Sequence, residues 1–189
     1  MNLAVIGSGG REHAICYKLK QSPKIKKLIC LPGNAGIEEI AENVAVDISN
    51  FDLIYKILKK YKIDIVVVGP EQPLVNGFVN YLNEKKIRVF GPDKFCSQLE
   101  GSKAFMKDLC KKNNIPTANY GVFDTYNEAY NFIEKNKIPI VVKADGLAAG
   151  KGVTVCSSKK EALKNVREIL NGKFISSKKV ILEEFLDGE

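Results

Sequence analysis

The sequence predicts an α/β protein in two units, a parallel sheet covered by helices on both faces followed by a small α+β unit. Three observations point there. Short apolar runs alternate with longer stretches of helical period, the pattern of strand–helix–strand crossovers. Glycine and proline close the runs, as in Pro32-Gly33 and Gly69-Pro70. Glycine-bearing loops follow the first, second and central strand candidates at 7–10, 32–36 and 69–73, the ends at which open α/β sheets bind ligands.

The elements follow in order. Leu3-Ala4-Val5-Ile6 is the first strand, and Arg11 to Lys20 the first helix, with Ala14, Ile15, Tyr17 and Leu19 along one side. Leu28 to Leu31 and Asn43 to Val46 are the next strands. Phe51 to Tyr61 is a helix whose Leu53, Ile54, Ile57 and Leu58 form an apolar stripe. Ile63 to Val68 is the most apolar strand, followed by a helix from Leu74 to Leu82 and a strand from Arg88 to Phe90. A second unit begins near Glu100. Ser102 caps a helix reaching about Asn113, and Ile115-Pro116-Thr117 breaks it. Beyond the break lie strands at 120–123, 140–143, 153–156 and 180–183 and helices at 126–135 and 160–170.

Composition narrows the function. The 189 residues are 45% hydrophobic and 27% charged, an ordinary globular balance. No apolar run approaches the ~20 residues that span a bilayer, and the first residues run straight into a glycine turn, so neither a membrane span nor a signal peptide is expected. The expected location is cytoplasmic. Cys16, Cys30, Cys96, Cys110 and Cys156 are odd in number and lack C-x-x-C spacing, which speaks against a disulfide framework or zinc site. The net charge of +7 comes from scattered lysines, read as solvated helix faces that attract anionic substrates. Basic residues are not interleaved with aromatics in any one segment, so no nucleic-acid partner is expected.

Three loops carry candidate chemistry. Gly7-Ser8-Gly9-Gly10-Arg11-Glu12-His13 joins a strand to a helix; backbone amides at such a helix start attract phosphate, and Arg11 offers a bidentate fork. A purely structural tight turn is the alternative. A dinucleotide fingerprint fits poorly, because Glu12 stands where its third glycine belongs and no acidic residue ends the second strand. Glu71, between Pro70 and Pro73 on a stiff loop, is either a sugar-hydroxyl acceptor or a solvated turn residue. The run from Lys143 to Val153, with Asp145, Gly146, Gly150, Lys151 and Gly152, places a lysine at the end of an apolar strand and a glycine flap after it. A lysine there is costly without an anion. The flap is one residue short of a Walker A loop and precedes a strand rather than a helix. Glu183-Glu184-Phe185-Leu186 follows a buried strand and reads either as a solvated strand end or as an adenine-reading edge.

In order along the chain, GSGGREHA (7–14), PGNAG (32–36), VGPEQPLVNG (68–77), LEGSKAFMK (99–107), IPTA (115–118), VVKADGLAAGKGV (141–153) and EEFLDGE (183–189) closely resemble the phosphoribosylamine–glycine ligases of the ATP-grasp superfamily. The nearest departure is Gln72, where alanine is commoner. The resemblance implies a Rossmann-like N-terminal sheet (the pre-ATP-grasp domain) over 1–100, a linker helix of the ATP-grasp core over 101–116, and over 117–189 a truncated lid with the adenine hinge. It implies a reaction in which ATP phosphorylates glycine and the amine of 5-phosphoribosylamine attacks glycyl phosphate, giving glycinamide ribonucleotide, ADP and phosphate. By carry-over, Lys103 and Lys143 contact ATP phosphates. Asp145, Gly146, Gly150, Lys151 and Gly152 belong to the flap, and Glu183, Glu184, Phe185 and Leu186 to the hinge. Gly9, Gly10, Arg11, Asn34 and Glu71 face phosphoribosylamine.

Magnesium, or manganese, bridges the nucleotide phosphates in this family, and its acidic ligands are expected outside this chain. Family members run to more than twice this length, so the chain reads as an N-terminal fragment that folds but does not catalyse ligation alone. Two alternatives stay open: a non-catalytic nucleotide- or phosphosugar-binding module, and another ATP-grasp enzyme of the same pathway, such as a carboxylase.

Overall fold

The computed structural model describes residues 1–148, 150–174 and 177–188, which fall in two compact units, Met1–Ser97 and Gln98–Glu189. The first unit runs β1 (Asn2–Gly7), α1 (Gly10–Lys20), β2 (Lys27–Pro32), α2 (Ala35–Glu38), β3 (Glu42–Asn43), α3 (Phe51–Lys60), β4 (Ile65–Val68), α4 (Glu71–Val75), α5 (Phe78–Glu84) and β5 (Arg88–Phe90). Its strands are all parallel in the order β3-β2-β1-β4-β5.

Strand periodicity sorts the side chains of β1 onto two cores. Ala4 and Ile6 join Ile54 and Leu58 of α3 and Phe78 and Leu82 of α5. Leu3 and Val5 join Cys16 of α1 and Ile37 of α2. Both faces are therefore buried, which is why the strands read as unbroken apolar runs. The chain leaves β1 toward β2 and returns to β4 on the other side, so the carboxyl ends of β1 and β4 frame the topological switch point.

Several expected boundaries move for local reasons. The third strand shrinks to Glu42–Asn43 because Val44 and Val46 turn to pack against the α3–α5 core. The central strand starts at Ile65, since Ile63 N–H is spent on the Leu58 carbonyl at 3.0 Å, closing the end of α3. The single helix expected over 74–82 is two, split at Gly77, whose φ of +88° is left-handed. Glu71 sits not on a loop but in the first turn of α4. The short helices α2 and α4 lie in segments read as glycine loops.

The second unit runs α6 (Gln98–Gly101), α7 (Lys103–Lys112), β6 (Tyr120–Phe123), α8 (Tyr126–Lys135), β7 (Ile140–Ala144), β8 (Val153–Cys156), α9 (Lys159–Leu170) and β9 (Val180–Glu184). Ser102 caps α7 by accepting the Phe105 amide at 3.1 Å. The strands form an antiparallel sheet, β6-β9-β7-β8. Ala129 and Ile133 of α8 and Ala162 and Val166 of α9 cover one face, packing on Ile140, Val142, Val180 and Leu182. Among the described residues no helix is long and apolar enough to cross a membrane.

Candidate functional site

At the switch point of the first unit, three strand ends are tied together by backbone and side chain. Gly33 N–H donates to Gly7 O at 3.2 Å and Gly69 N–H to Ile6 O at 3.1 Å. Asn34 caps α2 through Oδ1, accepting Ile37 N–H at 3.0 Å, while its Nδ2 donates to Ser8 O at 2.7 Å. Arg11 reaches across from α1, donating to Gly69 O at 2.6 Å and to Glu71 Oε1 at 2.7 Å. Gly9, Gly10, Arg11, Asn34 and Glu71 are thus gathered at one end of the sheet, with Gly9, Gly10 and Arg11 exposed. The Glu71 carboxyl is held below the usual carboxylate range by a bond to its own backbone amide and by the Arg11 guanidinium.

Glu12 lies at the centre of this arrangement, although in the sequence it stands out only as a departure from a dinucleotide motif. It is 4% exposed and accepts Gly9 N–H through Oε2 at 2.6 Å, half of a capping box. Glycines from two strand ends close around it. A Cβ added to Gly7 would come within 2.7 Å of the Glu12 side chain, and one on Gly69 within 2.0 Å of Oε1. These two glycines make room for an internal carboxylate. The sequence cue was available: an acid three residues after the N-cap of a helix.

In the second unit, alternation along the strands separates a covered face from one that carries the candidate chemistry. Opposite α8 and α9, cross-strand register aligns Val155, Val141, Glu183 and Tyr120 in one row and Val153, Lys143, Ile181 and Val122 in the next. Val153 and Val155 are 47% and 48% exposed. Lys143 Nζ donates to Glu183 Oε2 at 2.7 Å and keeps 24% of its side chain exposed. The same oxygen of Glu183 pairs with Lys107 Nζ of α7 at 3.1 Å, between side chains 4% and 5% exposed. Lys107 gave no sequence cue, since a lysine four residues after Lys103 reads as a solvated helix face.

The segment expected to form the flap is tied to the start of α7 through Asp145 and Gly146. Asp145 accepts Ser102 Oγ at 3.2 Å and Ala104 N–H at 3.3 Å, serving as a second cap for that helix. Lys103 Nζ donates to Gly146 O at 3.0 Å. Gly146 and Gly150 hold left-handed backbone, φ +83° and +76°, and a Cβ on Gly152 would meet Ala148 Cβ at 2.6 Å. Lys151 is exposed. Ala149 of the flap and Glu189 of the hinge lie outside the described residues. At the end of β9, where a hinge is expected, Glu184 is clamped to Asn119: its N–H donates to Asn119 O at 2.9 Å, and its carboxylate accepts Asn119 N–H at 2.8 Å and Nδ2 at 3.0 Å. These bonds hold the Glu184 carboxyl below the usual range. The structure places Glu183 and Glu184 differently, one buried between lysines and one at the surface, while Phe185 and Leu186 are 41% and 65% exposed.

Residues 1–100 match the family model for the N domain of phosphoribosylglycinamide synthetase, and residues 101–189 match that for its ATP-grasp (A) domain. The chain belongs to the phosphoribosylglycinamide synthetase family. It is 48% identical over 190 residues to phosphoribosylamine–glycine ligase of Mesorhizobium japonicum, covering all of this chain and 45% of that relative. It is 45% identical over 193 residues to the ligase of Haemophilus influenzae, again covering 45% of it. The solved phosphoribosylamine–glycine ligase of Thermotoga maritima superposes with a TM-score of 0.82 at 34% identity, over 100% of this chain and 45% of that one. An N5-carboxyaminoimidazole synthetase of Staphylococcus aureus, solved with ADP, has a TM-score of 0.76 at 15% identity over 98% and 47% of the two chains. That likeness shows the fold alone. This member of the synthetase family thus spans about half the length of the relatives it matches.

Proposed function

We propose that this chain supplies the phosphoribosylamine-binding unit and part of the ATP-binding unit of an enzyme that joins glycine to 5-phosphoribosylamine. The products are glycinamide ribonucleotide, ADP and phosphate, formed through glycyl phosphate in the cytoplasm. The observation that carries the reading is the sheet face of the second unit, where Lys143 stands beside Val141, Val153 and Val155. An apolar wall next to a partly exposed ammonium suits a nucleotide, with the base on the valines and the phosphates toward the lysine. Residues 1–100 form the phosphoribosylamine unit, 101–116 the linker helix, and 117–189 the lid with its hinge.

In this reading Lys103 and Lys143 neutralise phosphate charge. The flap residues Asp145, Gly146, Gly150, Lys151 and Gly152 bring backbone amides over the phosphates, and Glu183, Glu184, Phe185 and Leu186 line the adenine edge, Glu183 through its backbone because its carboxylate is held between lysines. Gly9, Gly10 and Arg11 receive the phosphate of phosphoribosylamine, and Asn34 and Glu71 its sugar. The work is positioning and charge neutralisation. In this reading the acidic ligands of magnesium or manganese belong to the part of the enzyme outside this chain; among the described residues no three His, Cys, Asp or Glu side chains gather as a metal site. No step is therefore assigned to a metal here.

Calorimetric titration of ADP into the 189-residue protein tests the reading. Saturable binding is expected, weakened about tenfold or more by Lys143→Ala, the loss of one charge-assisted contact. Equal affinities of wild type and Lys143→Ala, or no binding by either, would sink it. Glycine-dependent ADP release by residues 1–189 alone should be absent.

A further inference from the structure

We propose that Lys107 is a positioning residue: it satisfies the Glu183 carboxylate from inside the fold, so that Lys143 keeps its charge for an anion on the sheet face. The inference rests on the reading of Lys143 as a phosphate-binding lysine, and goes beyond it by assigning a role to a residue that touches no ligand.

The geometry separates the two lysines. Lys107 is 3% exposed, and its ammonium is fixed by Thr117 Oγ1 at 2.7 Å, the Ala118 carbonyl at 3.4 Å and Glu183 Oε2 at 3.1 Å. The Tyr120 ring lies 5.6 Å from it. With three oxygen acceptors and almost no exposed surface, it has no path to a ligand. Lys143 shares the same Glu183 oxygen at 2.7 Å but is the more exposed partner. One negative charge thus stands between two positive ones, leaving a net positive charge on the side of Lys143.

A buried carboxylate must be compensated. Without Lys107, Glu183 would draw on Lys143 alone, and that ion pair would hold no surplus charge. The other Glu183 oxygen, Oε1, is buried without a hydrogen-bond partner among the described residues, so the carboxylate depends on its two lysines. Lys107 therefore sets the charge that Lys143 presents, without meeting what Lys143 meets.

The test compares ADP with adenosine, calorimetrically, on the 189-residue protein. Lys107→Met should weaken ADP about tenfold or more and leave adenosine within about twofold, because only the phosphates depend on the surplus charge. Lys107→Arg should retain most of the ADP affinity. The decisive variant is Lys107→Met with Glu183→Gln: removing lysine and carboxylate together leaves Lys143 with the same surplus of one positive charge as in the wild type, and ADP affinity should return toward that of the wild type. A merely structural role for Lys107 predicts no such recovery. Should Lys107→Met fail to fold by circular dichroism, Lys107→Gln, which removes the charge and keeps a donor for Thr117, takes its place. Equal weakening of ADP and adenosine, unchanged ADP affinity, or a double variant no better than the single one overturns the inference. Wild-type protein that binds neither ligand overturns the nucleotide reading and this inference with it. Wild-type binding that the Lys107 variants leave untouched overturns this inference alone.

Discussion

Glu12 Oε1 occupies the space that a side chain on Gly69 would need: a Cβ there would approach it to 2.0 Å. Because Glu12 is buried and bonded to Gly9 N–H, it has little room to swing aside. Gly69→Ala and Gly7→Ala should each destabilise the protein by about 1–3 kcal/mol, the range for overpacking a closed site, with Gly7 strained further by its φ of +123°. Gly10→Ala is the control. Nothing lies within 4 Å of its added Cβ, and alanine at the start of α1 should be neutral or mildly stabilising. Urea unfolding midpoints of the three variants decide the matter; equal effects would mean that Glu12 does not set the glycine requirement.

Arg11 and Glu71 form an ion pair with side chains 57% and 39% exposed. Such pairs contribute less than about 1 kcal/mol to folding, and the part-buried bond from Arg11 to Gly69 O adds about 1–2 kcal/mol, so Arg11→Ala should lower the melting temperature moderately without unfolding the protein. Its affinity for ribose 5-phosphate should nevertheless fall about tenfold or more, with ADP affinity unaltered. An Arg11→Ala protein that binds ribose 5-phosphate like wild type would remove Arg11 from the proposed phosphate site.

Lysines hold left-handed backbone at the ends of two helices, Lys62 (φ 51°) after α3 and Lys86 (φ 58°) after α5. At each, the next amide closes the helix, Ile63 N–H on Leu58 O and Ile87 N–H on Leu82 O, both at 3.0 Å. Glycine is the favoured residue at this position. Lys62→Gly and Lys86→Gly should each stabilise the fold by about 0.5–1 kcal/mol, less a few tenths for the lost charge at the helix C-terminus. Chemical denaturation measures this, and destabilisation by either would show that the lysine side chain contributes more than its backbone costs.

Three of the seven tyrosines should ionise late in alkali. Tyr81 donates to Asp52 at 2.6 Å, which pushes its phenol up to about 12. Burial, aided by a hydrogen bond to Asp108, does the same for Tyr120, and Glu42 raises Tyr61. A raised phenol stabilises the fold while neutral. That contribution is complete below the unfolded value near 10 and disappears as pH climbs through about 12. Ultraviolet difference titration should therefore show a late phase that Tyr81→Phe and Tyr120→Phe each diminish. A single early phase for all seven tyrosines would contradict the geometry.

Periodicity made the framework legible. β1, β2, β4 and α3 advertised themselves because both faces of a parallel sheet are buried and a helix stripe repeats every three to four residues. The split at Gly77 was hidden, since a glycine within a helical pattern does not reveal whether its φ will be positive. The first-unit residues lay in contiguous motifs or at strand ends and were readable as candidates. Lys107 and Asn119 were not, because each acquires its role from a carboxylate of β9, and pairings that distant in sequence leave no local trace. Glu183 and Glu184 look equivalent as letters. Only the strand's two-residue alternation sends one inward to the lysines and the other to Asn119.

That alternation has a consequence for how insertions and deletions act on β7. Its side chains divide by parity, with Ile140, Val142 and Ala144 buried against the helices and Val141 and Lys143 on the other face. Replacing Val141 with another apolar residue changes the wall slightly. Deleting one residue from the middle of the strand would exchange the two sides beyond the deletion, driving an ammonium into hydrocarbon and turning an aliphatic side chain toward water. The strand is thus tolerant of altered chemistry at a position and intolerant of altered count, like a text in which a misspelling can be read but a dropped letter shifts every word after it.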